Sequence, residues 1–140
     1  MASNILEYFF QNLDKLSNLQ ILLLIKTGIT KIGNVQKLVN LAILNLSCNG
    51  IDKIENLDQF VNLTSLDLSK SKIQIIENLD KLVNLTRLDF SDNCIGEIDG
   101  LSNLIALNNL NLADNLIYKI ENLSKVVNSP ELNFLGTKFL

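Results

Sequence analysis

Leu63-Thr-Ser-Leu-Asp-Leu-Ser-Lys-Ser-Lys-Ile73 is the stretch that decides the fold, because its pattern returns every 22 residues along the chain. Written as L-x-x-L-x-L-x-x-(N/S/T)-x-I, the pattern begins at Leu19, Leu41, Leu63, Leu85 and Leu107, and in a degenerate form at Ser129. When the units are aligned, apolar residues fall into seven columns, interrupted only by Ser129. These columns begin at Leu16, Leu19, Leu22, Leu24, Ile29, Ile32 and Val35. Seven columns in one register predict a repeat solenoid.

Each unit predicts one short strand centred on its L-x-L pair. Alternation along the strand turns the two leucines inward and the residues beside them outward, so strands one unit apart form a parallel sheet on the concave side. On the convex side we expect 3₁₀ or one-turn helical returns.

Two polar columns accompany the strands. The first follows each strand and can bond backbone groups that would otherwise be buried without partners; its members are Thr27, Asn49, Ser71, Asn93, Asn115 and Thr137. The second precedes each first leucine and is broken by Ala106; its members are Asn18, Asn40, Asn62, Asn84 and Asn128. We interpret both columns as parts of the scaffold.

Residues 1–15 are predicted to form an N-terminal helical cap, and residues 16–140 six 22-residue repeats, the last of them incomplete. Apolar residues recur at helical spacing from Ile5 to Leu13, and Asn4 with Glu7 resembles a capping box, so we predict an amphipathic helix from Asn4 to about Lys15. A partner- or membrane-binding helix is the alternative. The cap is preferred because terminal repeats need one.

The last unit makes its strand near Glu131 to Leu135 and shows no recognisable cap. We expect Leu132, Phe134 and Phe139 to show one side to water beside a bare strand edge, and such an edge invites pairing with another chain. Three alternatives stay open: the last half-turn caps the core, the chain is truncated, or another molecule covers the end. From the bare edge we predict a weak homodimer through the C-terminal ends.

The units resemble a known family, best seen in Ile76-Glu-Asn-Leu-Asp-Lys-Leu-Val-Asn-Leu-Thr-Arg-Leu-Asp-Phe-Ser-Asp-Asn-Cys-Ile95. This stretch resembles the 22-residue subclass of leucine-rich repeats typified by the nuclear regulatory subunit of protein phosphatase 1. Axonemal dynein light chain 1 and the internalins share that repeat. The resemblance runs from about Phe10 to Phe139 and implies an α/β fold, a right-handed leucine-rich-repeat solenoid or horseshoe with a parallel concave sheet. It is weakly specific for function, because unrelated binders use this scaffold.

Composition narrows the class of protein. A net charge of −3 and a pI near 4.8 argue against nucleic-acid binding. The longest apolar run, Ile21 to Ile25, is too short to span a membrane, and Met1-Ala-Ser-Asn4 lacks the basic start of a signal peptide. Cys48 and Cys94 occupy different repeat positions, about 10 Å apart in the stack, which is too far for a disulfide. We therefore expect an intracellular protein, cytoplasmic or nuclear, that binds neither nucleic acid nor membrane.

The sequence offers few candidates for catalytic residues. The chain has no histidine, which removes the commonest proton shuttle and metal ligand. Asp67 and Asp89 share one column in adjacent units, about 5 Å apart across the strands, and close carboxylates are the pattern of an acid/base or cation site. The alternative is a solvated acidic stripe near Lys70 and Arg87. We predict a protein that is not an enzyme, with no cofactor and no metal.

The concave face is the candidate site, with another protein as its partner. Its N-terminal end is apolar where a solvent-facing strand should alternate, and such patches mark binding sites. The alternatives are that the N-terminal segment folds over the patch or that the patch only flanks the cap. The candidate contact residues are Ile21, Leu23, Ile25, Ile43, Asn45, Asp67, Arg87, Asp89, Asn109 and Asn111.

The sequence therefore predicts a non-catalytic protein-interaction module, an intracellular adaptor or regulator. By resemblance, its partner is a protein phosphatase 1-like enzyme. The first alternative is a cytoskeletal or axonemal scaffold, and the second is a secreted internalin-like adhesin, against which the missing signal peptide argues.

Overall fold

A six-stranded parallel sheet runs the length of the computed structural model, which describes residues 10–120 and 131–138. The sheet contains, in spatial order, β1 (Ile21–Leu23), β2 (Ile43–Asn45), β3 (Ser65–Asp67), β4 (Arg87–Asp89), β6 (Asn109–Asn111) and β8 (Glu131–Asn133). A second sheet pairs two short strands in parallel, β5 (Glu97–Ile98) with β7 (Lys119–Ile120). The predicted parallel solenoid is confirmed.

The register of the sheet equals the repeat. Leu44 lies opposite Leu66 and Leu66 opposite Leu88, so residues 22 apart are partners on neighbouring strands. Each of the first five strands of this sheet buries its central leucine and turns its other two residues outward. The apolar columns therefore stack into one continuous core along the solenoid. No single repeat could bury its inward face alone, and stacking supplies the missing cover.

The described part of the N-terminal segment is helical. Residues 10–12 are α-helical and lead into a 3₁₀ helix, Leu13–Leu16. Leu13 lies 22 residues before Val35 and joins the core, whereas Leu16 is 45% exposed although it heads a predicted apolar column. The first nine residues lie outside the described part, so the cap and its boundary at residue 15 stay predictions.

The convex returns are built from short 3₁₀-type turns, as expected. They contain single turns closed by hydrogen bonds from residue i+3 to residue i, for example from Leu38 N to Val35 O at 3.0 Å and from Leu41 N to Leu38 O at 3.1 Å. Each of the first four returns begins with a residue in the left-handed region; these are Asn34, Asn56, Asn78 and Gly100. A helix needs negative φ, so these positions limit helical structure. Within residues 10–120 and 131–138, no helix is long and apolar enough to cross a bilayer.

The predicted polar column after the strands is confirmed as a scaffold element. Asn93 Nδ2 donates to the Leu68 carbonyl of the preceding repeat at 2.9 Å and to the Phe90 carbonyl of its own repeat at 3.0 Å. Its Oδ1 accepts from Ile73 N at 3.0 Å. Asn115 makes equivalent bonds to Phe90, Leu112 and Ile95. One side chain thus satisfies backbone groups in two repeats, because no β-strand hydrogen bond reaches them there.

The second asparagine column also bonds to the preceding repeat. Asn40 and Asn84 donate to the carbonyls of Ser17 and Val61 at 2.9 and 2.8 Å. Asn62 makes the equivalent, longer bond to Val39 at 3.4 Å. These residues of both columns therefore join neighbouring repeats, which agrees with the predicted scaffold role; Asn128 lies outside the described residues.

The C-terminal strand β8 pairs with β6 through Leu110 and Leu132. Leu132 and Phe134 are half-buried and pack against the core, while Leu135 is 79% exposed. Phe139 lies outside the described residues. The homodimer and the self-capping alternative accordingly stay predictions.

The core columns should carry the stability. Leu66 is fully buried in β3, so Leu66→Ala should cost about 2–5 kcal/mol of unfolding free energy. Lys53 is exposed on a return, so Lys53→Ala should cost less than about 0.5 kcal/mol. Urea denaturation of the two variants measures both values. Equal losses would contradict the register.

Ser71 interrupts the hydrogen bonding of the polar column that follows the strands, and a single substitution should restore it. Its hydroxyl is the only buried side-chain polar atom without a hydrogen-bond partner among the described residues. Ser71→Asn should bond as Asn49 and Asn93 do on either side, and raise the unfolding free energy by about 1 kcal/mol. The matched control, Asn93→Ser, should lower it by about 1–3 kcal/mol. Denaturation that shows no gain for Ser71→Asn would refute this account of the column.

Candidate functional site

The outward residues of the six-stranded sheet form three rows across the concave face. The entry row contains Ile21, Ile43, Ser65, Arg87, Asn109 and Glu131. The central row contains Leu23, Asn45, Asp67, Asp89, Asn111 and Asn133. The exit row follows the strands and contains Ile25, Ser47, Ser69, Ser91, Ala113 and Leu135, of which Ser47 and Ala113 are buried. All ten candidate residues therefore lie on one face, and the strand register brings them together.

An apolar patch occupies the N-terminal end of this face. We define it as Ile21, Leu23, Ile25 and Ile43. Ile21, Leu23 and Ile25 are 52%, 57% and 47% exposed, and Ile43 is half-buried beside Ile21 on the next strand. All three rows are thus aliphatic at β1, which leaves a contiguous group of large side chains in water.

The middle of the face is built from an acid–amide ladder, defined as Asn45, Asp67, Asp89 and Asn111. Asp67 and Asp89 lie opposite one another on β3 and β4. Asn45 Nδ2 donates to Asp67 Oδ2 at 3.0 Å, and Asn111 Nδ2 donates to Asp89 Oδ2 at 3.0 Å. Each carboxylate therefore engages the amide on its outer side, and these bonds point away from the neighbouring carboxylate.

Two serines of the exit row fix the carboxylates of the ladder by hydrogen bonds. Asp67 Oδ1 accepts from Ser69 N at 3.0 Å and from Ser69 Oγ at 2.7 Å. Asp89 Oδ1 accepts in the same way from Ser91 N at 2.9 Å and Ser91 Oγ at 2.6 Å. Local bonds of this kind, from an Asx side chain to the residue two positions on, fix both the side-chain rotamer and the end of the strand.

The hydrogen bonds of Asp67 and Asp89 define the surroundings of the predicted pair of carboxylates. Each accepts three hydrogen bonds from neutral donors, and no hydrogen bond joins the two carboxylates. In residues 10–120 and 131–138, no three side chains of the metal-ligating types His, Cys, Asp and Glu converge on a point. The arrangement is that of a preorganised hydrogen-bonding surface.

The entry row is more open. Arg87 is exposed on β4, and Asn109 Nδ2 donates to Glu131 Oε2 on the next strand. Together with Asp89, Asn111 and Asn133, these residues surround a shallow depression at the C-terminal end of the face. The depression is polar, in contrast to the apolar patch at the other end.

Sequence reasoning missed a second exposed apolar group, which lies just before the strands. Val39, Val61, Val83 and Ile105 repeat every 22 residues and are all exposed. The signal was present in the sequence, where a valine or isoleucine follows the core column of Leu38, Phe60, Leu82 and Leu104 in each unit.

Sequence reasoning also missed Tyr118, an exposed aromatic residue on the return side. Its hydroxyl donates to Glu97 Oε1 at 2.9 Å, and Lys119 Nζ lies 3.4 Å from Glu97 Oε2. Its ring lies so close to Gly96 that an added Cβ would approach Tyr118 Cε1 to 2.5 Å. The hydrogen bond to Glu97, followed by the charge of that carboxylate, raises the pKa of Tyr118.

This contact gives opposite predictions for two substitutions. Glu97→Gln removes the negative charge and should lower the pKa of Tyr118, whereas Lys119→Gln removes a positive charge and should raise it. Ultraviolet absorbance of tyrosinate during an alkaline titration measures the value, and Tyr118→Phe identifies which transition belongs to this residue. A pKa that stays the same in Glu97→Gln would contradict the hydrogen-bonded geometry.

Comparison with known proteins places the repeats in context. The family described as "Leucine Rich repeats (2 copies)" matches residues 61–103. No curated protein sequence matches the chain significantly.

Solved structures resemble most of the chain. The functional domain of InlJ from Listeria monocytogenes is 29% identical with a TM-score of 0.77, over 89% of this chain and 27% of that one. Internalin C2 of the same organism is 29% identical with a TM-score of 0.73, over 91% of this chain and 54% of that one. A leucine-rich-repeat protein of Leptospira interrogans superposes with a TM-score of 0.80 at 23% identity, over 91% of this chain and 34% of that one, and supports the fold alone.

The chain thus spans between 27% and 54% of the length of these three proteins. The repeat register, the parallel sheet and these similarities together show that the chain has a leucine-rich-repeat fold.

Proposed function

We propose that this chain is a non-catalytic protein-binding module that holds its partner on the concave face. The observation that carries the proposal is the apolar patch, whose Ile21, Leu23 and Ile25 are about half exposed on a sheet edge that a core supports. Exposed contiguous apolar surface is costly in water and marks interaction sites in soluble domains.

The acid–amide ladder supports the same proposal. Asp67 and Asp89 are each held by three hydrogen bonds before any partner arrives. A partner therefore loses little of its binding energy to ordering these side chains. The aliphatic patch supplies buried area, and the ladder supplies orientation.

The partner would be intracellular for the first candidate functions and extracellular for the second. The phosphatase regulator and the axonemal scaffold rest on resemblance of the repeats alone. A second candidate, an internalin-like binder outside the cell, is favoured by the 29% identity to InlJ and internalin C2. We assign each of these functions to the concave face, so one experiment tests what they share.

Reversal of charge on the concave face should abolish partner binding without unfolding the chain. Asp67→Lys/Asp89→Lys changes the local charge by about four units and leaves the leucine columns intact. In affinity capture followed by mass spectrometry, this bait should lose the proteins that the unaltered bait retains.

The matched control is Asp52→Lys/Asp58→Lys, which makes the same change of charge at exposed positions of a return. It should capture the same proteins as the unaltered bait. If the concave variant retains them with unchanged circular dichroism, the site moves to Ile21, Leu23 and Ile25. If Leu23→Ser also retains them, the concave face is not the binding surface.

A further inference from the structure

The concave face has two chemically different halves at a fixed separation. At β1 all three rows are aliphatic, with Ile21, Leu23 and Ile25 exposed. At β3 and β4 the central row consists of Asp67 and Asp89, both half-buried. A partner that covers the whole face must therefore match both halves.

The acidic half lacks a compensating cation. Among the described residues, the donors to Asp67 and Asp89 are neutral: an amide, a hydroxyl and a backbone N–H in each case. Among the described residues neither carboxylate forms an ion pair, and the basic side chains nearest in sequence, Lys70 and Arg87, are exposed. The central row thus carries two negative charges and no positive one, in a setting less screened than bulk water.

The acidic half also has more acceptors than donors. A carboxylate offers about four acceptor positions, and three are used on each residue, so one remains on Oδ2 of Asp67 and one on Oδ2 of Asp89. The hydroxyls of Ser69 and Ser91 already donate to the same carboxylates. A partner carboxylate here would meet like charge and committed hydroxyls, whereas an ammonium or guanidinium group would meet two open acceptors.

We infer that the partner presents a segment with an aliphatic side chain and a Lys or Arg side chain, the aliphatic group on β1–β2 and the cation on β3–β4. This inference rests on the proposed function and specifies its partner. It also sets the direction in which the segment lies across the sheet, because the reversed segment would place the cation on the apolar patch and the aliphatic group on the ladder.

The sheet sets the spacing of the two groups. Neighbouring strands lie about 4.8 Å apart, so β3 and β4 lie roughly 10 and 14 Å from β1. An extended segment that runs across the strands covers that distance in about three to four residues. A helical segment covers it in about seven to nine residues, at 1.5 Å per residue.

Selection from a random peptide library displayed on phage tests the inference directly. Peptides retained by the unaltered chain should be enriched in Lys or Arg at one of these two spacings from Ile, Leu or Val, and the spacing found reports the conformation of the segment. The dissociation constant of a selected peptide should rise steeply with salt, because its cation is attracted by the two carboxylates.

Asp67→Asn/Asp89→Asn removes the charge, and each new Oδ1 can still accept from the serine two residues on, while Nδ2 replaces the oxygen that accepted from Asn45 or Asn111. On this variant the selected peptide should bind about tenfold more weakly or worse, since a hydrogen bond to a charged group contributes about 1.5–3 kcal/mol. The matched control Asp52→Asn/Asp58→Asn should change its affinity by less than about twofold.

The outcomes separate the two proposals. Peptides that lose binding on Leu23→Ser but show no basic enrichment and no response to Asp67→Asn/Asp89→Asn would overturn this inference and leave the protein-binding face in place. Selected peptides whose affinity is unchanged by both concave variants would overturn the proposed function as well. Circular dichroism of each variant confirms that a loss of binding reflects the surface and not the fold.

Discussion

The structure depends on hydrogen bonds that each repeat makes to the next. Asn93 shows the principle: its amide bonds the Leu68 carbonyl of the preceding repeat and the Phe90 carbonyl of its own, while its Oδ1 accepts from Ile73 N. Without this side chain the turn that leaves the sheet would bury backbone groups that no strand can satisfy. The leucine columns can stack at strand spacing only because these turns follow the same path in each repeat. A change at one asparagine therefore acts on two repeats.

The repeat made most of the fold predictable. Apolar columns of period 22 specify which residues enter the core, and the register Leu44–Leu66–Leu88 follows from the same period. The residues with a left-handed backbone conformation that follow the strands could not be predicted from the 22-residue period. They occupy one column, which mixes lysine, cysteine, aspartate and glycine: Lys26, Cys48, Lys70, Asp92, Asp114 and Gly136. Only the last has the conformational freedom that usually reveals such a position, because glycine lacks the Cβ that disfavours it.

The returns show the same limit. The returns consist of isolated 3₁₀-type turns, and left-handed Asn34, Asn56 and Asn78 begin three of them. Asn56 and Asn78 then use their amides to reach the carbonyls of Ile32 and Ile54, at 2.6 and 2.8 Å. In the sequence these asparagines are ordinary polar residues between apolar columns. Their role depends on the backbone of a neighbouring repeat, which local spacing does not contain.

One part of the candidate site follows from the position of each residue in its strand, and the other part depends on side-chain contacts. Alternation along each strand was enough to place Asn45, Asp67, Asp89 and Asn111 in one row. It was not enough to show how adjacent carboxylates coexist, because that depends on which donors surround each oxygen. Asp67 and Asp89 turn Oδ2 toward amides on their outer sides, and serines two residues on take Oδ1. The like charges are thus held apart by the same bonds that fix the side chains.

Neighbouring repeats restrict the residue type at some positions of each repeat more than at others. This difference explains why the fold is easier to infer than the partner. Core and turn positions must satisfy the neighbouring repeats, so their residue types recur. The concave rows lie outside the apolar core, and the central row changes from Leu23 to Asn45 to Asp67 while the leucine columns stay the same. Such freedom lets one scaffold serve unrelated functions. Specificity must therefore lie where the repeats differ, and in this chain the largest difference is the change from the aliphatic rows of β1 to the acidic centre of β3 and β4.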